Sequence, residues 1–231
     1  ALPAEVAVVR PLTSAYFENS ASWENGKWVY TALAHAHIPV DALDEGFLMS
    51  EDLSRYKAIY ISGSHIRRDV AQKLADWVKA GGTLYTSCFG LARDEANQPL
   101  DILQPVLGLK ERQEPDMWSG VSRYGATGLA GFKPGKTPPE NADTVTGKNP
   151  LNGSFTIAVG REVLDPAQGT DVMAVDADGK AALTKHRYGK GTAWMAGTYA
   201  GVEYAWETMQ KKPFDADKRA FISIPVREAG V

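Results

Sequence analysis

The sequence has little of what metal centres, disulfide scaffolds and membrane spans are built from. Its 231 residues include one cysteine and four histidines, which excludes an internal disulfide framework and argues against a structural zinc site. No apolar run approaches the roughly 20 residues that a membrane helix needs. A net charge of -3 offers no electrostatic attraction to nucleic acid or to an anionic membrane. We therefore expect a soluble chain without cofactor, nucleic-acid or membrane partner, and the lone thiol fits a cytoplasmic or an exported protein.

A strand–helix–strand unit between residues 56 and 90 is the clearest local pattern. Ala58–Ile61 and residues 83–87 have strand character, and between them Val70, Leu74 and Val78 recur at helical spacing before a glycine stop. Such a unit has parallel strands with the helix across one face. Ligands gather at the carboxyl ends of parallel strands. The loop at residues 63–65 and the turn at residue 88 are thus predicted to lie side by side at that edge.

The remaining pattern predicts a doubly wound α/β domain with a mainly parallel sheet and a β-rich C-terminal extension. Residues 1–109 form the predicted α/β core and residues 110–231 the extension, within one domain over 1–231. We interpret the aromatic stretch 11–24 as a loop and the apolar run 221–226 as a strand. Because the chain starts without methionine and has strand-like runs near both ends, we expect a domain excised from a longer polypeptide.

Cys88 is the first candidate for chemistry. Residues 87–91 (Ser-Cys-Phe-Gly-Leu) have the small residues that favour a strained strand-to-helix elbow, which would present the thiol at the top of the sheet. His65 is the best placed general base, and the N–H groups of Gly63 and Phe89 could form an oxyanion hole. The alternative, which we favour, is an inert buried thiol, because free cysteine is among the most buried residue types.

Other polar and aromatic residues allow two interpretations each. Asp94 and Glu95 form either an active-site acid pair or a salt-bridge cluster, and adjacent carboxylates converge only if the backbone turns. The aromatic side chains of Tyr16, Trp23 and Trp118 could stack on sugars, anchor a subunit interface or fill the core. We select these three as candidate interface anchors.

Several segments together resemble one known family. The chain is similar to the trimerisation domain of bacterial β-galactosidases and related glycosidases at residues 30–33 (Tyr-Thr-Ala-Leu), 38–41 (Ile-Pro-Val-Asp), 56–60 (Tyr-Lys-Ala-Ile-Tyr), 77–84 (Trp-Val-Lys-Ala-Gly-Gly-Thr-Leu), 94–95 (Asp-Glu) and 188–191 (Tyr-Gly-Lys-Gly). The resemblance covers residues 5–109 well and 172–199 loosely. It implies a flavodoxin-like sheet of the class I glutamine amidotransferase-like superfamily and a role in oligomerisation.

The same superfamily contains amidotransferases whose nucleophile motif resembles residues 87–91. In that family a histidine and an acid, one residue apart, follow late in the chain. Here His186 is followed by Arg187 and Tyr188, so the pattern is broken. We therefore expect a non-catalytic accessory or oligomerisation domain of a larger carbohydrate-active enzyme. Its expected partners are the other domains of the parent chain and further copies in a homo-oligomer, with carbohydrate as a further candidate. The competing hypothesis is a cysteine-dependent amide or ester hydrolase that uses Cys88 with His65.

Overall fold

The computed structural model describes residues 3–18, 21–117, 143–157, 159–209 and 211–231. The strands are β1 (Val6–Arg10), β2 (Asp41–Asp44), β3 (Ala58–Ile61), β4 (Thr83–Thr86), β5 (Asp116–Met117), β6 (Thr144–Gly147), β7 (Ser154–Thr156), β8 (Gly160–Arg161), β9 (Thr170–Val175), β10 (Ala181–Tyr188) and β11 (Gly191–Ala196). The helices are α1 (Leu12–Glu18), α2 (Ala21–His35), α3 (Glu45–Ser50), α4 (Arg68–Ala80), α5 (Gln104–Leu107), α6 (Ala200–Met209) and α7 (Ala216–Glu228), with a 3₁₀ turn at Leu53–Arg55. Within these ranges no helix combines the length and the apolar character needed to cross a membrane.

One mixed sheet runs through the chain. Its nine strands follow the order β2-β1-β3-β4-β11-β10-β9-β6-β7. The first five are paired in parallel, and the last four are added by antiparallel pairing. The prediction of a mainly parallel sheet is therefore correct for the first five strands of this order, which include β11 from the C-terminal half, and wrong for the remaining four. The β-rich segment extends the same sheet, because β11 pairs with β4 and its hairpin partner β10 continues outward.

Helices cover both faces of this sheet. Side chains alternate along β1, so Val6 and Val8 pack under α2, α6 and α7, whereas Ala7 and Val9 pack under α3, α4 and α5. This alternation is the period of a strand buried on both sides. The parallel strands consequently end at one common edge, and the loops at this edge carry the candidate site.

The C-terminal run 221–226 is a helix, which corrects the strand prediction. Asp215 caps α7 by accepting hydrogen bonds from the N–H groups of Asp217 (2.8 Å) and Lys218 (3.0 Å). The Tyr60 hydroxyl donates to the carbonyl of Ile222 inside the helix (2.9 Å). The run is apolar because the helix is buried along most of its length, and tertiary burial overrides the β-propensity of its isoleucine and valine residues.

The predicted loop at residues 11–24 is also helical. It contains α1 and the start of α2, which begins at Ala21. The start of α1 is held by the buried carboxylate of Glu45, which accepts from the N–H (2.7 Å) and hydroxyl (2.8 Å) of Thr13. Since this cap is supplied by α3, 32 residues away in the chain, local sequence does not reveal it.

Candidate functional site: the turns that follow β3 and β4

The loops after β3 and β4 lie side by side, as the parallel arrangement predicts. Both strands are parallel neighbours, and hydrogen bonds continue beyond their ends. Leu91 N–H donates to the carbonyl of Gly63 (2.7 Å), and Arg93 N–H donates to the carbonyl of Ser64 (2.8 Å). The cysteine turn and the histidine loop therefore form one hydrogen-bonded unit at the carboxyl edge of the sheet.

Cys88 lies on a tight turn at this edge, and its side chain is buried with 4% exposed. Its N–H donates to the carbonyl of Thr198 (3.1 Å), which ties the turn to the end of β11. The left-handed residues of the turn are Phe89 (φ 54°) and Leu91 (φ 58°), not the cysteine. Backbone strain of this kind costs about 1–3 kcal/mol per residue. A tight turn is therefore present at Cys88, but it is not the predicted strand-to-helix elbow, because the next helix, α5, begins only at Gln104 and the strained residues are Phe89 and Leu91.

Gly90 completes the turn because no side chain fits there. A Cβ atom at this position would lie 2.0 Å from Thr86 Oγ1 and 2.7 Å from the carbonyl oxygen of Ser87. The Gly90 N–H donates to that same carbonyl (2.6 Å). The glycine two residues after the cysteine, which the sequence offers as part of a nucleophile motif, is thus required by the packing of the turn itself.

The N–H group of Phe89 already has an acceptor. It donates to Oε2 of Glu162 (2.6 Å), and Glu162 is 2% exposed. Arg112 binds both oxygens of this carboxylate, through Nε to Oε1 (2.7 Å) and through Nη2 to Oε2 (3.0 Å). An oxyanion hole needs donors directed at the position of the developing negative charge. At Phe89 that position is occupied by a carboxylate, which is itself negative.

His65 is buried and held by neighbours on three sides. Its Nδ1 lies 2.6 Å from Ser64 Oγ, and its Nε2 lies 2.9 Å from Asn97 Oδ1. Its ring stacks on Phe17 of α1, with a centroid distance of 3.8 Å and an interplanar angle of 6°. A general base needs a nitrogen lone pair directed at the thiol, and these contacts engage both ring nitrogens with other groups.

Gly63 sits where α1 crosses the loop. Its φ is +143°, and a Cβ atom there would lie 2.5 Å from Ser14 Oγ. Ser14 also binds the backbone of His65. The Ser14 hydroxyl donates to the carbonyl of His65 (2.6 Å) and accepts from the N–H of His65 (2.8 Å). The N–H of Ser64 donates to the buried carboxylate of Glu18 (3.0 Å). Helix α1 therefore closes over the histidine loop.

The acidic pair after the turn is a structural cluster. Asp94 accepts from the N–H groups of Gln98 (2.8 Å) and Ala96 (3.0 Å) and pairs with Arg68 (3.0 Å). Burial raises the pKa of Asp94, but the hydrogen bonds from Gln98, Arg68 and Ala96 outweigh burial and lower it below its ordinary value. Glu95 accepts from the N–H of Arg68 at the start of α4 (2.9 Å). Of the two interpretations, the salt-bridge cluster is the one that the geometry supports.

The three candidate interface anchors have different surroundings. Tyr16 projects from α1 and is 89% exposed, more than any other large apolar side chain in the described residues. Trp23 on α2 is half-buried, with the guanidinium of Arg10 lying 5.7 Å from its ring centroid. Trp118 lies outside the described residues. Exposed apolar side chains also occur on α3, which packs beside α1 through Glu45 and Thr13.

Sequence reasoning missed the residues that hold the two loops in place. They are Ser14, Glu18, Asn25, Asn97, Arg112 and Glu162. Glu162 contacts a residue 73 positions earlier in the chain, and the Asn25 carboxamide reaches 176 positions to the start of α6. Contacts over such separations leave no local pattern.

The fold has counterparts among solved structures. A β-galactosidase from Bacillus circulans sp. alkalophilus matches 99% of this chain with a TM-score of 0.72 and 21% identity. Gan42B, a GH42 β-galactosidase from G. stearothermophilus, matches 92% with a TM-score of 0.66 and 20% identity. In each case the matched part is 31% of the other chain. The fold is therefore shared with GH42 β-galactosidases, and this chain spans about a third of their length.

A smaller neighbour shares the fold more loosely. A cytoplasmic protein from Salmonella typhimurium matches 88% of this chain with a TM-score of 0.58 and 13% identity, and 85% of that chain is covered. No family model and no curated protein matches the sequence. The similarity to known proteins is accordingly a similarity of fold.

Proposed function

We propose that this chain is a non-catalytic accessory or oligomerisation domain of a larger, glycosidase-like carbohydrate-active enzyme. The observation that carries the proposal is the asymmetry of the structural match. Almost all of this chain corresponds to 31% of a β-galactosidase chain, so the fold occurs there as one part of a longer polypeptide. We further propose that the five parallel strands are a flavodoxin-like core, because their order β2-β1-β3-β4-β11 is that of the flavodoxin-like sheet.

The cysteine turn supports a role without catalysis. Catalysis by a thiol needs a base, an accessible sulfur and donors for the oxyanion. Here Cys88 is buried, both ring nitrogens of His65 are engaged by Ser64 and Asn97, and the N–H of Phe89 is bound to a carboxylate. The hydrolase hypothesis would require each of these contacts to rearrange, and so it is the weaker proposal.

Among the described residues, most of the exposed large apolar side chains lie on α1 and α3, which makes this surface a candidate for self-association. We define the α1–α3 patch by its four exposed apolar side chains: Leu12 (38% exposed), Tyr16 (89%), Phe47 (38%) and Met49 (38%). Leu12 and Tyr16 are four residues apart on α1 and so share a helix face. Interfaces concentrate their energy in a few aromatic or arginine anchors. We propose that this patch contacts a second copy of the parent chain, with Tyr16 as its central anchor and Trp23 and Trp118 as further candidates.

Substitution of the most exposed anchor tests this proposal. Because truncation of an interface hot spot costs about 2 kcal/mol or more, Tyr16→Ser should weaken self-association of the complete natural polypeptide by about 30-fold or more. Light scattering over a dilution series measures this. Tyr30→Ser is the matched control, since Tyr30 is an exposed tyrosine (39%) on α2, outside the patch. Equal dissociation of the wild type and of the Tyr16→Ser variant would remove the patch from the interface.

A further inference from the structure

The buried carboxylate of Glu162 lies against the turn after β4. Glu162 receives three hydrogen bonds there, from Phe89 N–H (2.6 Å), Arg112 Nε (2.7 Å) and Arg112 Nη2 (3.0 Å). We infer that this turn is a small-carboxylate binding site that the chain fills with its own Glu162, so that the contact is autoinhibitory toward any other anion. The inference concerns the turn alone and is independent of the proposed accessory function.

The charges and burial of the pair support this inference. The side chains of Glu162 and Arg112 are 1% and 10% exposed. A bidentate contact of arginine with a carboxylate is short and geometrically specific. Removing one partner of a buried pair leaves an uncompensated charge, which is strongly unfavourable. With Glu162 truncated, the site would therefore favour another anion of the same size and shape.

The donors are positioned by groups other than Glu162. The Nη1 atom of Arg112 donates to the carbonyl of Gly90 (2.9 Å). The guanidinium also lies 5.6 Å from the ring centroid of Phe89, within the range of a cation–π contact. The Phe89 N–H is held by the left-handed backbone of the turn (φ 54°). The turn itself therefore orients both the Arg112 guanidinium and the Phe89 N–H. Donors that are fixed in this way form a preorganised binding site.

Glu162 belongs to a different part of the chain from the donors. It follows β8, and its own N–H donates to the carbonyl of Gly197 after β11 (2.7 Å). The contact therefore joins three segments: the turn after β4, the stretch around Arg112 and the stretch after β8. Truncation of Glu162 to alanine removes a methylene and a carboxylate, which together are the size of acetate. Acetate is accordingly the probe of choice.

Chemical rescue by acetate tests the inference. The midpoint of thermal unfolding of the Glu162→Ala chain should be lower than that of the wild type. It should rise by about 3–6 °C at an acetate concentration about ten times the dissociation constant, relative to chloride at equal ionic strength. The wild type should not respond, nor should the double variant Glu162→Ala/Arg112→Met. Glu114→Ala is the matched control, because it removes an exposed glutamate that pairs with Arg93, and it too should not respond.

The inference is overturned if acetate stabilises the Glu162→Ala chain no more than it stabilises the wild type. Should that variant not fold, the Phe89 amide gives the answer by NMR in the wild type and in Glu162→Gln. We expect the Phe89 amide proton to be protected from exchange in the wild type and to move upfield when the charged acceptor becomes neutral. An unprotected amide, or one whose shift is unchanged in Glu162→Gln, would contradict the inference.

Discussion

Truncation of Asn25 to alanine should destabilise the domain strongly, because this one side chain joins α2, α6 and the strand that leads to the cysteine turn. The Asn25 side chain is buried, with the residue 1% exposed. Its Oδ1 accepts from the N–H groups of Gly201 (2.9 Å) and Val202 (3.1 Å), so it caps α6 from outside that helix. Its Nδ2 donates to Ser87 Oγ (2.7 Å), one residue before Cys88.

The magnitude follows from these three hydrogen bonds. A buried neutral hydrogen bond contributes about 1 kcal/mol net, and loss of a helix N-cap costs about 0.5–2 kcal/mol. The Asn25→Ala variant leaves two N–H donors at the start of α6 without their acceptor. We expect a loss of about 3 kcal/mol in the free energy of unfolding, which corresponds to a fall of about 6–12 °C in the thermal midpoint for a chain of this size.

Urea unfolding monitored by circular dichroism measures this loss. The matched control is Thr31→Ala on the same helix, where an exposed hydroxyl donates to the carbonyl of Lys27 (2.9 Å); we expect a change below about 0.5 kcal/mol. The Asn25→Asp variant keeps the Oδ1 acceptor but loses the donor to Ser87, and should therefore lie between Asn25→Ala and the wild type. A loss under about 1 kcal/mol for Asn25→Ala would refute the assigned role in capping α6 and supporting the turn.

Two further outcomes follow from the packing and titration of particular residues. Gly90→Ala should lower the free energy of unfolding by at least about 2 kcal/mol, because the new Cβ would lie 2.0 Å from Thr86 Oγ1 and 2.7 Å from backbone. Gly26→Ala in α2 is the control and should be neutral or stabilising, because the nearest neighbour of its Cβ would lie at 3.5 Å. Urea unfolding that ranks the two variants in the opposite order would contradict the packing of the turn. Burial and the hydrogen bond to Asp41 raise the pKa of Tyr56 to about 12, so the neutral phenol stabilises the fold below the ordinary pKa of about 10 and this contribution is lost between about pH 10 and 12. The stability of the wild type should fall more steeply over that window than that of Tyr56→Phe, and equal slopes would show that Tyr56 titrates alike in the folded and unfolded chains.

The sequence predicts those parts of the fold whose signals are local. The helix at residues 68–80 could be predicted because Val70, Leu74 and Val78 repeat at helical spacing and a glycine follows. In the structure Gly81 ends this helix with a positive φ of 135°. The adjacency of the turns after β3 and β4 followed from the parallel strands of a βαβ unit. In both cases the physical reason for the structure lies within one continuous stretch of the chain.

Elements that are stabilised by partners distant in the chain could not be predicted from the sequence in the same way. The run 221–226 reads as a strand because its apolar residues are β-branched or aromatic, yet capping by Asp215 and burial against the sheet make it a helix. The candidate site shows the same division. The sequence singles out Cys88 and His65, but the groups that decide what they can do, such as Glu162 and Asn97, are brought to them only by the tertiary fold.

The most direct test of the proposed accessory role is the mass in solution of the complete natural polypeptide that contains this chain, measured with and without residues 1–231. Sedimentation equilibrium gives that mass independently of shape. We expect the intact polypeptide to be a homo-oligomer and the shortened one to have a smaller assembly mass. An oligomeric state that is unchanged by the deletion would contradict the proposal that this domain mediates self-association.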